Sequence, residues 1–247
     1  MNRITCYRIG RAGKKPVPEG CSAYDESPTA VFINGRHAAT VLVKPGDSGT
    51  YVTGYLFSEQ YIKKLDEIES IRVEKNRVSV ITTNIFTSPG PKKTILSGCG
   101  GSVSYIDTTK LPVLHDACTI ACDDLFSAVL VSGGSGDEPE RSLVFASLWT
   151  KTKKLVSSTD LGDDQALDRM IGSALIEECD FSGTYCLFSG CITSEIVRKC
   201  LVAQIPLILT TGTLTTLAVH LAEKNGLCMA LLDEDDMLVC SHQERIR

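Results

Sequence analysis

The segment Leu96-Ser97-Gly98-Cys99-Gly100-Gly101-Ser102 sets one cysteine among three glycines, in a polar stretch that follows the basic pair Lys92-Lys93. Glycine lacks a Cβ and reaches positive φ, so Gly98, Gly100 and Gly101 make a hinge and put no bulk near the Cys99 sulfur. A cysteine that packs a core sits among apolar neighbours. One that hands its sulfur to another group needs an uncrowded, swinging tether, and Cys99 is placed on one. The alternative reading is a tight turn in which the cysteine is incidental.

The elements that must carry such a loop follow from composition and pattern. With 247 residues, 43% hydrophobic and 22% charged, the chain has the make-up of a globular protein with a substantial core. Its longest apolar runs, 128–131 and 205–209, are far too short to cross a bilayer, and the start Met1-Asn2-Arg3-Ile4-Thr5-Cys6 has no apolar signal core. A net charge of −5, with no basic run longer than Lys151-Thr152-Lys153-Lys154, argues against a nucleic-acid surface. Eleven cysteines without an export signal are expected to stay reduced, which points to the cytoplasm. Cys118 and Cys122 stand four apart, the spacing of one helical face and not of a zinc knuckle, and no metal site is expected.

Residues 1–27 read as a strand followed by an irregular arm. Asn34-Gly35 between the β-rich runs 29–33 and 37–43 is a type I′ hairpin signal. Asp47 or Ser48 then caps a helix to about Glu59, with Tyr51, Val52, Tyr55 and Leu56 on one face, and 68–73 and 77–82 make a second hairpin. Residues 1–110 thus form a β-rich portion ending in the Cys99 loop.

Beyond it the pattern changes. A helix over 120–132 stops at Gly133-Gly134, a strand covers 142–149, and Thr159 to Gly162 make a turn. Asp163 or Asp164 opens a helix to about Glu178. A strand at 184–188, a helix capped by Thr193 or Ser194, a strand at 207–210, a helix from Thr215 ending at Asn225-Gly226, and strands at 227–232 and 237–240 complete the chain. Strands alternating with amphipathic helices predict an α/β sandwich with a mixed sheet for residues 111–247. In such sheets ligands bind at strand-to-helix turns, and Ser189-Gly190 and Thr210-Thr211-Gly212-Thr213 are two turns of small, hydroxylated residues suited to a phosphate or a carbonyl oxygen.

Several segments in order resemble one family. Glu26 to Gly35 is similar to its Glu-x-Pro-Leu-x-Ile-x-Val-Asn-Gly opening, and Lys44-Pro-Gly-Asp47 and Gly54 to Glu59 to its Thr-Pro-x-Asp and Gly-Phe-Leu-x-x-Glu segments. Asp160-Leu-Gly162, Ala166, Asp168 and Ile171-Gly172 follow its Asp-Val-Gly-Arg-His-Asn-Ala-x-Asp-Lys-x-Ile-Gly helix. Ser189-Gly190, Glu195 to Val197, Lys199, Ile205-Pro206, Thr215 to Val219, Leu221 to Glu223 and Gly226-Leu227 match its last third. On these residues the chain resembles the formate dehydrogenase accessory sulfurtransferases, the FdhD family.

The resemblance implies a three-layer α/β/α sandwich of cytidine-deaminase-like type with an N-terminal β-rich subdomain, and a homodimer. It also implies relay of sulfur, as a persulfide on Cys99, from a cysteine desulfurase to the molybdenum or tungsten cofactor of formate dehydrogenase. That cargo is a bis-molybdopterin guanine dinucleotide, bound transiently, and its guanine nucleotide part must be recognised. Family ligand contacts would fall at Asp160, Gly162, Ser189, Gly190, Gly212 and Thr215, while Asp168 and Glu195 are expected to cap or pair within the fold.

The sequence also departs from the family pattern. Ser102 replaces the second cysteine of the loop, Asp163-Asp164-Gln165 replaces Arg-His-Asn, Cys191 replaces an arginine, and Gly212-Thr-Leu-Thr215 replaces Ser-Ala-Pro-Thr. The family's Thr-Gly-Gly-x-His has no clean counterpart. These changes leave open a second function, a cofactor-binding or chaperone homologue that no longer moves sulfur. Zinc-dependent deamination needs His-x-Glu with Pro-Cys-x-x-Cys, and the latter is nowhere in the chain.

Overall fold

The computed structural model describes residues 2–9, 16–86, 111–115, 118–133, 143–233 and 236–247. They build a separate two-stranded ribbon and two sheets of different size, the two sheets being joined through one helix–helix crossing.

The ribbon pairs β1 (Asn2–Arg8) with β2 (Val17–Ala23) in antiparallel register. The irregular arm expected after the first strand is therefore in part a strand. Pro18 and Gly20 conceal it, because β2 packs on no core and shows no apolar alternation.

The smaller sheet runs β4 (Arg36–Val43), β3 (Ser27–Ile33), β6 (Arg77–Thr82), β5 (Ile68–Glu74), with β3 and β6 parallel. Asn34 and Gly35 take φ of 49° and 78°, the two left-handed positions that a type I′ turn requires. Helix α1 (Ser48–Ser58) connects β4 to β5 and opens on Asp47, whose carboxylate accepts from the Thr50 amide. Tyr51, Val52 and Leu56 lie on the inward face of the sheet against Val31, Ile33, Val43, Val78 and Val80.

The larger sheet has the order β12 (Asp236–Ser241), β11 (Cys228–Asp233), β10 (Leu207–Thr210), β9 (Tyr185–Phe188), β7 (Val144–Trp149), β8 (Lys154–Asp160). Strands β9, β10 and β11 are parallel, whereas β12 and β7 run against their neighbours, so the sheet is mixed as expected. Helices α3 (Asp163–Ile176), α4 (Ser194–Val202) and α5 (Thr216–Asn225) pack on one face around Leu148, Phe188, Ile208 and Met229. Helix α2 (Cys122–Gly133) packs on the other, with Leu125 and Ala128 against Tyr185, Leu187 and Leu209. Thr193 and Thr215 cap α4 and α5, and Gly226 ends α5 with φ of 82°.

Two further differences from the sequence reading have physical causes. Strand β8 was not expected; it lies at the sheet edge, so Lys154 and Ser157 are exposed and only Val156 and Asp160 are buried on it. Cys118 precedes α2, which starts at Cys122, so the two do not share a helical face.

Helix α1 is buried on more than its apolar face, since it lies between the small sheet and α3. Gly54 and Gly172 permit this. A Cβ on Gly54 would stand 1.7 Å from the Asp168 carbonyl oxygen, and one on Gly172 2.0 Å from that of Thr50. Beside the crossing, Asp168 is fully enclosed, accepting from Lys199 Nζ at 2.6 Å and from Ser58 Oγ at 2.7 Å. Burial pushes its carboxyl group up to about 6, against the opposing pull of Lys199 and Ser58. Arg198 bridges the end of α1 to α4, donating to the Ser58 carbonyl and pairing with Glu59 and Glu195. Asp168 and Glu195 therefore pair within the fold, as expected.

Helix α1 itself supplies a test. Gly54→Ala must separate α1 from α3 and is expected to cost about 3 kcal/mol in urea unfolding. Gly49→Ala in the same helix meets only an ordinary contact with Val73, at 3.6 Å, and should be neutral or stabilising by up to about 1 kcal/mol.

Candidate functional site

Strands β8, β9, β10 and β11 all point the same way, so their carboxyl ends share one edge of the large sheet, where α3, α4 and α5 begin. The expected contact residues Asp160, Gly162, Ser189, Gly190, Gly212 and Thr215 are brought together along this edge. Cys99 and its hinge glycines Gly98, Gly100 and Gly101 lie outside the described residues.

Each of the six has a defined role in the fold. The fully buried Asp160 carboxylate accepts from the amides of Lys44 and Leu161 on one oxygen, both at 2.8 Å. Its other oxygen takes Arg169 Nε at 2.9 Å and Nη2 at 2.6 Å. Arg169 turns its remaining donors to the carbonyls of Lys44, Gly46 and Asp47, which ties the loop before α1 to the start of α3. Asp160 thus fixes that loop, with its acceptor positions filled. Gly162 precedes α3 with no capping side chain, and Gln165 folds back over it.

Ser189 continues the β7–β9 pairing: its amide donates to the Phe145 carbonyl, and its hydroxyl accepts from the Phe145 amide at 2.8 Å. Gly190 and Gly212 lie against each other, and a Cβ on Gly212 would stand 2.5 Å from the Gly190 carbonyl oxygen. The Thr210 hydroxyl donates to that same oxygen and accepts from the Gly212 amide, while Ile192 bonds to Thr213 and Thr215 on the opposite turn. Thr215 accepts from the Ala218 amide as the cap of α5. The glycines here serve close turn–turn packing.

The start of α3 is acidic in space as well as in sequence. The half-buried Asp163 carboxylate accepts from the Cys191 amide at 3.3 Å and stands over Gly190, where a Cβ would come within 2.1 Å of its Oδ1. Burial pushes its carboxyl group up. An anion approaching this turn meets a carboxylate, and the helix start offers it little.

A cleft of about 880 Å³ opens beside this edge, within the range usual for small-molecule sites. Phe145, Leu187 and Leu209 give it an apolar floor, and Ser157, Thr159, Ser189 and Thr211 supply hydroxyls. Its rim carries Lys44 and Lys154. Sequence reasoning missed these lysines, together with Ser157 and Thr159, because β8 carries no strand pattern and Lys44 is remote in sequence.

The described cysteines form no disulfide. Burial pushes the thiols of Cys200 and Cys228 up to about 12 and raises Cys186 well above its usual value. Cys179 and Cys240 are raised for the same reason. None of these five is prepared as a thiolate. Among the described residues no group of histidine, cysteine, aspartate and glutamate side chains could hold a metal ion.

The sequence model of the FdhD/NarQ family matches residues 24–247. The chain belongs to the FdhD/NarQ family. Relatives named sulfur carrier protein FdhD include that of Geobacillus kaustophilus, 25% identical over 254 residues, covering 98% of this chain and 95% of the relative. The same-named protein of Sulfolobus acidocaldarius is 28% identical over 231 residues, covering 90% of this chain and 89% of the relative. A crystal structure of a Desulfotalea psychrophila protein, described as a formate dehydrogenase accessory protein, superposes with a TM-score of 0.80 at 24% identity. It covers 100% of this chain and 99% of its own, so the mixed α/β fold of this FdhD/NarQ family member has a solved counterpart along its whole length.

The Asp160–Arg169 pair gives a prediction. Arg169→Met leaves a buried carboxylate without its cation and should lower unfolding stability by about 3–5 kcal/mol. Urea denaturation at neutral pH measures it, and a loss below 1 kcal/mol would contradict the role given to Arg169.

Proposed function

We propose that this chain is a sulfur carrier in formate dehydrogenase maturation, holding a persulfide on Cys99. The Cys99 thiolate attacks the outer sulfur of a cysteine desulfurase persulfide; the new S–S bond forms as the donor's breaks, and the donor thiolate leaves. The carried sulfur then passes to the molybdenum or tungsten bis-pterin guanine dinucleotide, which is cargo and not a resident cofactor. That passage breaks the Cys99 S–S bond and releases the Cys99 thiolate, with an external thiol reductant supplying the two electrons that turn the sulfane sulfur into a sulfide ligand. The working form in this reading is a cytoplasmic homodimer, and the large sheet is a layer sandwich of cytidine-deaminase-like type.

The observation that carries the reading is the near full-length match to relatives named sulfur carrier protein FdhD. Two features of the chain support it. Five of the described thiols are raised by burial and suited to packing, whereas Cys99 has a glycine on each side, the tether that transfer needs. The cleft pairs an apolar floor with hydroxyls and lysines, a lining that fits a nucleotide's base and its phosphates. The replacement of a second loop cysteine by Ser102 favours one other reading, a cofactor-holding homologue that no longer moves sulfur.

Peptide mass spectrometry separates the two. After incubation of the reduced protein with a cysteine desulfurase and cysteine, the Cys99 peptide is expected to gain one sulfur atom, and Cys99→Ala to gain none there. Sulfur spread over all eleven cysteines, with no preference for Cys99, would overturn sulfur transfer and leave the cofactor-holding reading.

A further inference from the structure

We infer that the phosphate groups of the ligand in the cleft are held along strand β8 by Lys44 and Lys154, and not at the helix starts of the sheet edge. The inference rests on the reading that the cleft takes the guanine nucleotide part of the cargo, and it specifies where that part's charge goes.

Among the described residues, four charged side chains line the cleft: Lys44, Asp47, Lys154 and Arg169. Two are engaged by the fold. Arg169 directs its donors to Asp160 and to three loop carbonyls, and Asp47 receives the Thr50 amide and hydroxyl. The other two are available. Lys44 Nζ donates to the Thr159 hydroxyl at 2.9 Å and meets no carboxylate among the described residues, so two of its three donors remain. Lys154 is exposed, and its ammonium has no hydrogen bond or ion pair among the described residues. The charge left over among the described lining residues is positive.

Position along the strand gives these two lysines a common object. Lys154 begins β8, and Lys44 reaches the same strand near its end, at Thr159. A rise of about 3.3 Å per residue sets those strand positions roughly 16 Å apart. Lysine arms leaning inward from both ends leave room for a diphosphate between them, with the Ser157 and Thr159 hydroxyls beneath it. The helix starts offer no equivalent. Asp163 fronts α3 and the Gly190–Cys191 turn, and the threonine hydroxyls at α4 and α5 are already caps. The chain therefore carries its anion-binding charge on an edge strand, with a carboxylate where an anion would meet α3.

Calorimetric titration of the full-length protein with guanosine, GMP and GDP tests this. GDP should bind more tightly than guanosine, with an affinity that falls as salt is raised. Lys44→Met and Lys154→Met should each weaken GDP about tenfold, as expected for a lost charge-assisted hydrogen bond, and leave guanosine unchanged. Lys→Arg at either position should restore GDP binding. Lys44→Met keeps the backbone bond from Lys44 to Asp160, and Lys154 is exposed, so both variants should unfold as the parent does. GDP binding unaffected by either substitution would overturn the inference while leaving the nucleotide reading intact. Absence of binding by any of the three ligands would remove both.

Discussion

Helix α1 meets α3 with backbone against backbone, and the rest of the structure depends on that contact. Gly54 and Gly172 are the residues that allow it, since at either position even a methyl group would overlap a carbonyl oxygen of the opposite helix. Once the helices are this close, the ends of α1 come within reach of cations from the large sheet's helices. Arg169 takes the carbonyls that lead into α1, and Arg198 takes the one at its end. Between them Lys199 and Asp168 are enclosed together, an arrangement in which either charge alone would be costly. The small sheet is therefore fixed to the large one at three points along a single helix.

That attachment shapes the cleft. The loop 44–47 forms part of its rim, and the loop is held by Arg169 and Asp160 at the end of β8, so the fold's own hydrogen bonds fix the rim. The sheet edge is similarly settled: the turns after β9 and β10 bond to each other, and Asp163 covers the first of them. Unengaged polar groups lie instead on β8, whose outer side has no neighbouring strand among the described residues. On the proposed reading, the ligand's phosphates are met beside an edge strand and not at the helix starts.

Much of this was legible in the sequence where the signal is local. Asp47 and Thr193, each one of two cap candidates, are the caps, and Thr215, read as the start of its helix, is that helix's cap. Asn34-Gly35 and Gly226 read as left-handed positions and adopt them. The signals that failed depend on what an element packs against. Strand β8 shows polar residues to solvent and so lacks the alternation of a half-buried strand, and β2 lacks any core to write a pattern for. The turn glycines Gly190 and Gly212 also have a packing role that sequence does not show, since they lie against each other. Lys44 and Lys154 could not be joined by inspection, because the arrangement of β8 against the loop before α1 is a property of the whole fold. The boundary at residue 110 and the Cys99 loop fall outside the described residues.

The glycine crossing also has a consequence in time. During synthesis the small sheet and α1 leave the ribosome first, while the partner surface on α3 follows roughly ten seconds later at ordinary elongation rates. Through that interval the side of α1 bearing Thr50 and Gly54 has nothing to close against, and Ser58 has no Asp168 to accept its proton. The N-terminal half emerges with a bare backbone face that only its own C-terminal half can cover. The emergence of α3, and not that of the first sheet, is what lets this face of α1 close.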